Sequence, residues 1–342
     1  MKEIIDRILP WFRENRRELP FRAGRDPYRI WLSEIMLQQT RIEAVIPYYF
    51  RFISALPTVR DLASCEDEKL LKLWEGLGYY SRARNLKKAA EIIAERYGGE
   101  VPGDYKALLA LPGIGEYTAG AISSIAFGLP CPAVDGNVLR VIARITGDER
   151  DVLDPKTRSD VREKLAENYP AGTDAGDLTE GLMELGEVLC LPGGSPKCEA
   201  CPVKDLCRAH KDRSWDHIPY RAPAREKKVC LKTVFLLSCE GKYAVRKREA
   251  PGLLHGLFEF PNADGHLTKT EAKRFWEERG VKVLALFEAK ACRHVFTHLV
   301  WEMAGYRVKA ASETPGFLWK TPEELRDKIA LPTAFKGFMK QI

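Results

Sequence analysis

LLALPGIGEYTAGAISSIA, residues 108–126, is the stretch on which the reading of the fold turns. It runs from a helical pattern, through a tight Gly-rich turn, into a second helix of small residues. Gly113 and Gly115 let the backbone turn sharply, and they leave amide groups at the N-terminus of the following helix, a place that favours an anion. A plain helix–helix corner needs no Leu-Pro-Gly-x-Gly. The full pattern is that of a helix-hairpin-helix, a grip on a DNA phosphate that ignores base sequence.

Downstream comes PAVDGNVLRVIARI, residues 132–145, with Asp135, twenty residues after Gly115, in an Asp-Gly pair. Alone, such an aspartate is a turn or helix-cap residue; its distance from the hairpin makes it a candidate for chemistry. Further on, CLPGGSPKCEACPVKDLC (190–207) holds four of the nine cysteines, spaced C-x7-C-x2-C-x5-C at Cys190, Cys198, Cys201 and Cys207. Four thiolates suit tetrahedral zinc or an iron–sulfur cube, and spacing alone slightly favours zinc. Lys197, Lys204 and Arg208 would let the closed loop present positive charge to phosphates.

The rest of the chain frames these motifs. A length of 342 residues predicts two domains. No apolar run reaches membrane-span length, and the start MKEIIDRILPWF lacks a signal-peptide cleavage pattern, so a cytoplasmic and reducing setting is expected, where clustered cysteines bind metal. The net charge of +6 suits a polyanionic partner. Residues 1–212 read as helical: Ile5, Ile8, Leu9 and Phe12 share one helical face, and an apolar helical pattern over 30–53 is interrupted near Pro47. Residues 213–228, RSWDHIPYRAPAREKK, have a linker composition. Residues 229–342 read as a smaller α+β domain, with strands around a Glu240-Gly241 turn, a second strand pair in HVFTHLVWEMAGYRV, and a helix in TKTEAKRFWEERG.

LPGIG…VDGN together with the four-cysteine loop resembles the helix-hairpin-helix DNA glycosylases that carry a [4Fe-4S] cluster. WLSEIMLQQTRIEAVIPYY (31–49), LWEGLGYYSRARNL (73–86) and LTEGLMELGEVLC (178–190) are similar to the MutY, adenine-removing, branch more than to the endonuclease III branch. The resemblance covers essentially the whole chain. It implies a mainly α helix-hairpin-helix glycosylase domain with an iron–sulfur loop, a smaller Nudix-like C-terminal domain, and a bacterial base-excision-repair enzyme. The implied substrate is double-stranded DNA with adenine opposite 8-oxoguanine or guanine, bound by a monomer. The resemblance resolves the metal as [4Fe-4S] on the four cysteines. It implies Glu34 as the acid at adenine N7, Asp135 as the carboxylate on the sugar side, Asn137 as an orienter of that carboxylate or a water, and Tyr117 hydrogen-bonded near Asp135. Tyr117 stands where endonuclease III has a lysine, so no Schiff base can form and a monofunctional glycosylase is expected. The apolar neighbours Trp31, Leu32, Ile35, Met36 and Leu37 by themselves predict that Glu34 is buried. Leu37, Gln38, Gln39 and Tyr79 match wedge and stacking positions, and Arg22 and Glu180 match the pocket around the extruded base.

GLLHGLFEFP (252–261) and HVFTHLVWEM (294–303) resemble the Nudix-like domain. Phe296-Thr297-His298 matches the Phe-Ser-His turn that reads 8-oxoguanine, and His294 is a weaker candidate. Lys273 and Arg274 stand where a Nudix hydrolase needs Arg and Glu, and arginine cannot ligate Mg²⁺. A binding module without pyrophosphatase activity is expected. Two more departures bear on the site: seven residues separate the first two cysteines where the family usually has six, and Phe21 replaces a usual tryptophan. Other readings are an endonuclease III-like glycosylase/lyase, a non-catalytic iron–sulfur DNA-binding protein, and a nucleotide hydrolase. Tyr117, the Glu34 and Asp135 pair, and the degraded Nudix box, respectively, oppose them.

Overall fold

The structure is a computed structural model and describes residues 1–223, 226–249 and 252–342. The chain divides into two units, one of residues 1–65 and 84–223, the other of 66–83 and 224–342. The first is helical. Its Lys2–Asn15 helix buries Ile5, Ile8, Leu9 and Phe12, the face read from the sequence, against the helix Thr173–Val188. The approach is close: a Cβ on Gly181 would lie 3.0 Å from Phe12 Cβ.

The apolar stretch after residue 30 does break, but not at Pro47. The helix Pro27–Leu37 ends in a turn, and a second helix, Ile42–Ala55, carries Pro47 within it. The break comes from the backbone of Gln39, which takes a left-handed φ of 57°, while Thr40 N–H closes the turn onto the Leu37 carbonyl. Two further helices of this unit, Gly136–Thr146 and Thr173–Val188, are buried along much of their lengths.

Residues 213–223, which have a linker's composition, pack within this unit. Ile218 is buried and its carbonyl accepts a 2.7 Å bond from Arg144 Nε, and Tyr220 bridges to Asp151. Ala224 and Arg225, within the expected linker, lie outside the described residues.

The second unit is a mixed sheet of β1 (Lys228–Cys239), β2 (Lys242–Lys247), β3 (Phe258–Glu259), β4 (Asn262–Asp264), β5 (Val283–Val295), β6 (Leu299–Ala310) and β7 (Leu318–Lys320). The main order is β3-β2-β1-β6-β5; β4 pairs with β1 and β7 with β2, and only β1 and β6 run parallel among the described strands. The β1–β2 turn is Glu240-Gly241, both at positive φ, as a two-residue hairpin requires. Period-two alternation splits β1 between two cores. Val234 and Leu236 face Trp301, Phe335 and Phe338; Phe235 and Leu237 face Trp276, Tyr306 and Trp319.

The sequence reading kept residues 66–83 with the helical domain, whereas here they group with the sheet. Lys72 Nζ donates to the Ile329 carbonyl at 3.1 Å, and Glu75 Oε1 accepts the Leu331 N–H at 3.0 Å. These bonds join residues more than 250 positions apart, a separation no local pattern records. In the helix Lys269–Glu277, Lys273 pairs with Glu277 at 3.5 Å and Arg274 with Glu278 at 3.8 Å, all four on the exposed side. Among the described residues no helix is long and apolar enough to cross a membrane.

Candidate active site

The first unit holds an open cleft of about 960 Å³. Glu34, Tyr117, Asp135, Asn137, Arg22, Glu180, Leu37, Gln38 and Gln39 all line it. These residues come from five separate stretches of sequence, and each is delivered by a local feature.

Glu34 sits on the inward face of the Pro27–Leu37 helix, started by an Asp26 cap onto Arg29 N–H. It is buried, as its apolar neighbours predict. Burial pushes its carboxyl up to about 7; the nearby Asp135 and Glu180 add to the rise, while the Tyr117 hydrogen bond and Arg22 oppose it.

Tyr117 follows the hairpin. Gly113 and Gly115 are exposed on either side of buried Ile114, and Gly113 turns at φ 79° against Asn85. The helix then starts at Glu116 and turns the phenol inward, where it donates to Glu34 Oε2. The partner of the expected hydrogen bond near Asp135 is thus Glu34, with Asp135 close enough to act on both groups. The Asp135 oxygens have other donors: Oδ1 accepts from Val138 N–H at 2.7 Å, and Oδ2 from Asn137 Nδ2 at 3.0 Å. Burial raises the Tyr117 hydroxyl well above its usual range, so it stays a donor.

Asp135 is the N-cap of the Gly136–Thr146 helix. Burial raises its pKa, and the amides of Val138 and Asn137 and the charge of Arg140 pull it back. The segment carrying it can approach the hairpin helix because Gly120 has no side chain; a Cβ there would lie 2.5 Å from the Pro132 carbonyl oxygen. Asn137 is seated in the same way. A Cβ on Gly186 would lie 2.7 Å from Asn137 Cβ.

Arg22 lies between two carboxylates, 3.1 Å from Glu180 and 2.7 Å from Glu184. Glu184 also binds Arg17, with Arg17 Nη2 3.0 Å from Oε2. Burial raises Glu180. Phe21 lines the cleft too and meets Tyr49 edge-on, so the aromatic face survives the loss of tryptophan.

Sequence reading missed Arg140, Arg144 and Glu184. Arg140 Nη2 donates to Asn137 Oδ1 and to the Gly186 carbonyl, both at 2.8 Å, and its Nε donates to the Cys190 carbonyl at 2.8 Å. One turn on, Arg144 Nη1 reaches Cys190 Sγ at 3.3 Å and the Leu191 carbonyl at 2.9 Å. The available signal was two arginines four apart within an apolar helical run, charges that must be buried with partners.

Cys190, Cys198, Cys201 and Cys207 line one small pocket walled by Val141, Ile145, Leu185 and Val203. Among the described residues no three Cys, His, Asp or Glu side chains converge on a single metal-ion position. Four thiols around one common pocket can hold a cube, in which each sulfur binds a different iron. Burial pushes the Cys201 thiol up to about 12, so it keeps its proton until an iron displaces it and binds the thiolate. The extra residue between the first two cysteines is absorbed in an exposed loop with Gly193 at φ 64°, closed by Lys197 N–H onto the Leu189 carbonyl at 2.9 Å.

Four of the expected site residues belong to the second unit. Tyr79, exposed and at φ 46°, shares a 2.9 Å hydrogen bond with the hydroxyl of Thr297. Phe296, Thr297 and His298 form the β5–β6 turn, closed by Phe296 N–H onto the Leu299 carbonyl. Phe296 packs edge-on against Trp301 and His294, while Thr297 and His298 are exposed at the tip of the turn.

Comparison with known proteins agrees with this geometry. The family described as HhH-GPD superfamily base excision DNA repair protein matches residues 32–171, the iron–sulfur binding domain of endonuclease III matches 194–207, and the NUDIX domain matches 233–341. The adenine DNA glycosylase of Rattus norvegicus is 32% identical over 96% of this chain and 76% of its own length. That of Buchnera aphidicola (subsp. Acyrthosiphon pisum) is 31% identical over 86% of this chain and 83% of its own. Among solved structures, a thermostable thymine-DNA glycosylase matches 62% of this chain and 96% of its own with a TM-score of 0.56 at 32% identity. A non-covalent endonuclease III–DNA complex matches 61% and 94% with a TM-score of 0.51 at 28% identity. The thymine-specific and endonuclease III matches cover only part of the chain, whereas the adenine-specific relatives match most of it. The chain belongs to the adenine DNA glycosylases, helix-hairpin-helix enzymes of base excision repair that act on DNA and carry a [4Fe-4S] cluster.

Proposed function

We propose that this enzyme removes adenine mispaired with 8-oxoguanine, and less well with guanine, by a monofunctional reaction run by two carboxylates. The observation that carries the reading is Glu34: a buried carboxyl raised to about 7, held by Tyr117, in one cleft with a capped Asp135. Adenine leaves poorly until its ring is protonated. A carboxylic acid that is half protonated near neutral pH is matched to that task. With Oε2 occupied by the tyrosine, Oε1 is free to deliver the proton to N7. As the glycosidic bond breaks, positive charge develops on the sugar. Asp135, its oxygens oriented by Val138 N–H and Asn137, stabilises that charge or bonds to it transiently, and water completes the hydrolysis. Tyr117 offers no amine, so the product is an intact strand with an abasic site.

Gly113 and Gly115 offer exposed amides to a DNA phosphate. Leu37, Gln38, Gln39 and Tyr79 fill the step left by the extruded base, and Arg22 and Glu180 bound its pocket, with Glu180 accepting from the exocyclic amine. Thr297 and His298 read the opposite base. 8-Oxoguanine differs from guanine at N7–H and O8, and a hydroxyl that accepts from N7–H discriminates between them. Cys190, Cys198, Cys201 and Cys207 would hold the cluster, which supplies a structural fixing of the basic loop. The enzyme acts as a monomer.

The test is a single-turnover assay, enzyme in excess, on duplexes with A:8-oxoG, A:G and A:T, with and without alkali before electrophoresis. Alkali-dependent cutting at adenine, fastest opposite 8-oxoG, is expected. Efficient cutting without alkali would overturn the monofunctional reading; equal rates on A:8-oxoG and A:G would overturn the role of Thr297 and His298.

A further inference from the structure

His210 is not one of the four cysteines, and nothing in the reaction above uses it. It lines the same pocket as the four thiols, from the short helix Arg208–Asp212 that begins one residue after Cys207. Its Nδ1 is buried and has no hydrogen-bond partner among the described residues. Of the six side-chain atoms in that condition among the described residues, it alone belongs to a residue lining the cysteine pocket. A buried imidazole nitrogen left unpaired is costly, so the arrangement implies a partner that the described residues do not supply.

The pocket's other polar features point the same way. Its lining is mostly apolar, with Lys197, Lys204 and Arg144 as the charged members, and Arg144 Nη1 already donates to Cys190 Sγ at 3.3 Å. The backbone that carries His210 is fixed in place. Its helix is tied by Lys211 N–H to the Cys207 carbonyl at 3.2 Å, and by Ser214 N–H to the Ala209 carbonyl at 3.0 Å. When the cube fills the pocket, the groups nearest a donor there are sulfurs.

We propose that His210 donates a hydrogen bond from Nδ1–H to a sulfur of the [4Fe-4S] cluster, a bridging sulfide or a cysteinyl sulfur, and thereby raises the cluster's reduction potential. A hydrogen bond to sulfur stabilises the more electron-rich state, because added electron density resides partly on sulfur. His210 is a positioning and tuning residue for the cofactor; it touches no substrate.

The experiment compares the full-length holoprotein with His210→Leu, which removes the donor, and His210→Gln, which keeps one. Iron and acid-labile sulfide are quantified first. Voltammetry then gives the midpoint for one-electron oxidation of the cluster. Pulsed EPR of the paramagnetic form, in ordinary and heavy water, detects exchangeable protons coupled to the iron spins. At a potential poised on the wild-type midpoint, His210→Leu should raise the oxidised-to-reduced ratio about three- to tenfold, the upper end being about 59 mV for one electron. His210→Gln should lie between the two. Wild type should show an exchangeable coupling that His210→Leu loses. Equal midpoints in all three proteins, or an identical set of exchangeable couplings in wild type and variants, would overturn the proposal. Should His210→Leu bind less than its full iron, the wild-type and His210→Gln spectra decide: the exchangeable coupling must be present in wild type and altered in His210→Gln, and its absence from wild type refutes the hydrogen bond.

Discussion

Replacing Tyr117 by phenylalanine isolates the one hydrogen bond that a side chain makes to the Glu34 carboxylate at Oε2. In the proposed reaction Glu34 must be protonated and Asp135 ionised, so the single-turnover rate on A:8-oxoG is flat only while Asp135 keeps its charge and falls above about 7. Tyr117 donates to the carboxylate and so favours its charged form; its bond holds the pKa below the value that burial alone would give. Tyr117→Phe removes that restraint, and the alkaline limb moves up. A hydrogen bond to a charged group contributes about 1.5–3 kcal/mol, and one pKa unit is about 1.4 kcal/mol, so the limb should move by at least about one unit. Normalised to its own plateau, the variant should then exceed wild type roughly ninefold at about pH 8.5, where wild-type Glu34 is only about 3% protonated. The assay is alkali-quenched single turnover across pH, with Glu34→Gln as the control that lacks the limb. A limb that stays in place, or moves to lower pH, would refute the reasoning, because Tyr117 would then not be stabilising the carboxylate.

Three other outcomes follow from the geometry. Glu34 binds a proton in the folded chain between its ordinary 4.5 and about 7 that the unfolded chain has released, so stability falls as pH rises through that window, by up to about 3 kcal/mol. Glu34→Gln should therefore raise the thermal midpoint of the holoprotein at pH about 8 more than at pH about 5; an equal shift at both would contradict the raised pKa. Gly186→Ala should push Asn137 off Asp135 and lower the single-turnover rate about 100-fold, whereas Gly181→Ala on the same helix, which presses on Phe12 and Ile8, should cost stability without that rate loss. Thr297→Ala should reduce the rate ratio of A:8-oxoG over A:G while leaving A:G unchanged, measured on the two duplexes; an unchanged ratio removes the hydroxyl from base reading.

Much of this was legible in the sequence, because the features concerned are local. The apolar face of Lys2–Asn15, the Glu240-Gly241 hairpin and the burial of Glu34 each follow from neighbours within a turn or a strand. Asp135 was legible as a turn or cap residue and is a cap. What was not legible depends on contacts between distant segments. The partner of Tyr117 is set by how the hairpin helix meets the Pro27–Leu37 helix, and the grouping of residues 66–83 rests on bonds to residues beyond 320. The helix break moved from Pro47 to Gln39 because proline within a helix removes only one donor, whereas a left-handed residue changes the chain's direction. The apolar run around Arg140 signals its burial, but its partners, Asn137, Gly186 and Cys190, come from the packing of the Thr173–Val188 helix and the loop after it and from its own helix start.

The left-handed turn at Gln39 also fixes how two steps of the reaction are timed. Glu34 and Leu37 stand three residues apart on one helix that stops immediately afterwards, an axial separation of about 4.5 Å. Under the proposed assignment, the proton donor and the wedge that fills the vacated step form one stiff lever. Leu37 cannot enter the duplex without carrying Glu34 forward by the same amount. An adenine still stacked and paired keeps the wedge out and so keeps the acid at a distance. On that assignment, proton delivery waits on extrusion of the adenine, ahead of any contact with the base itself.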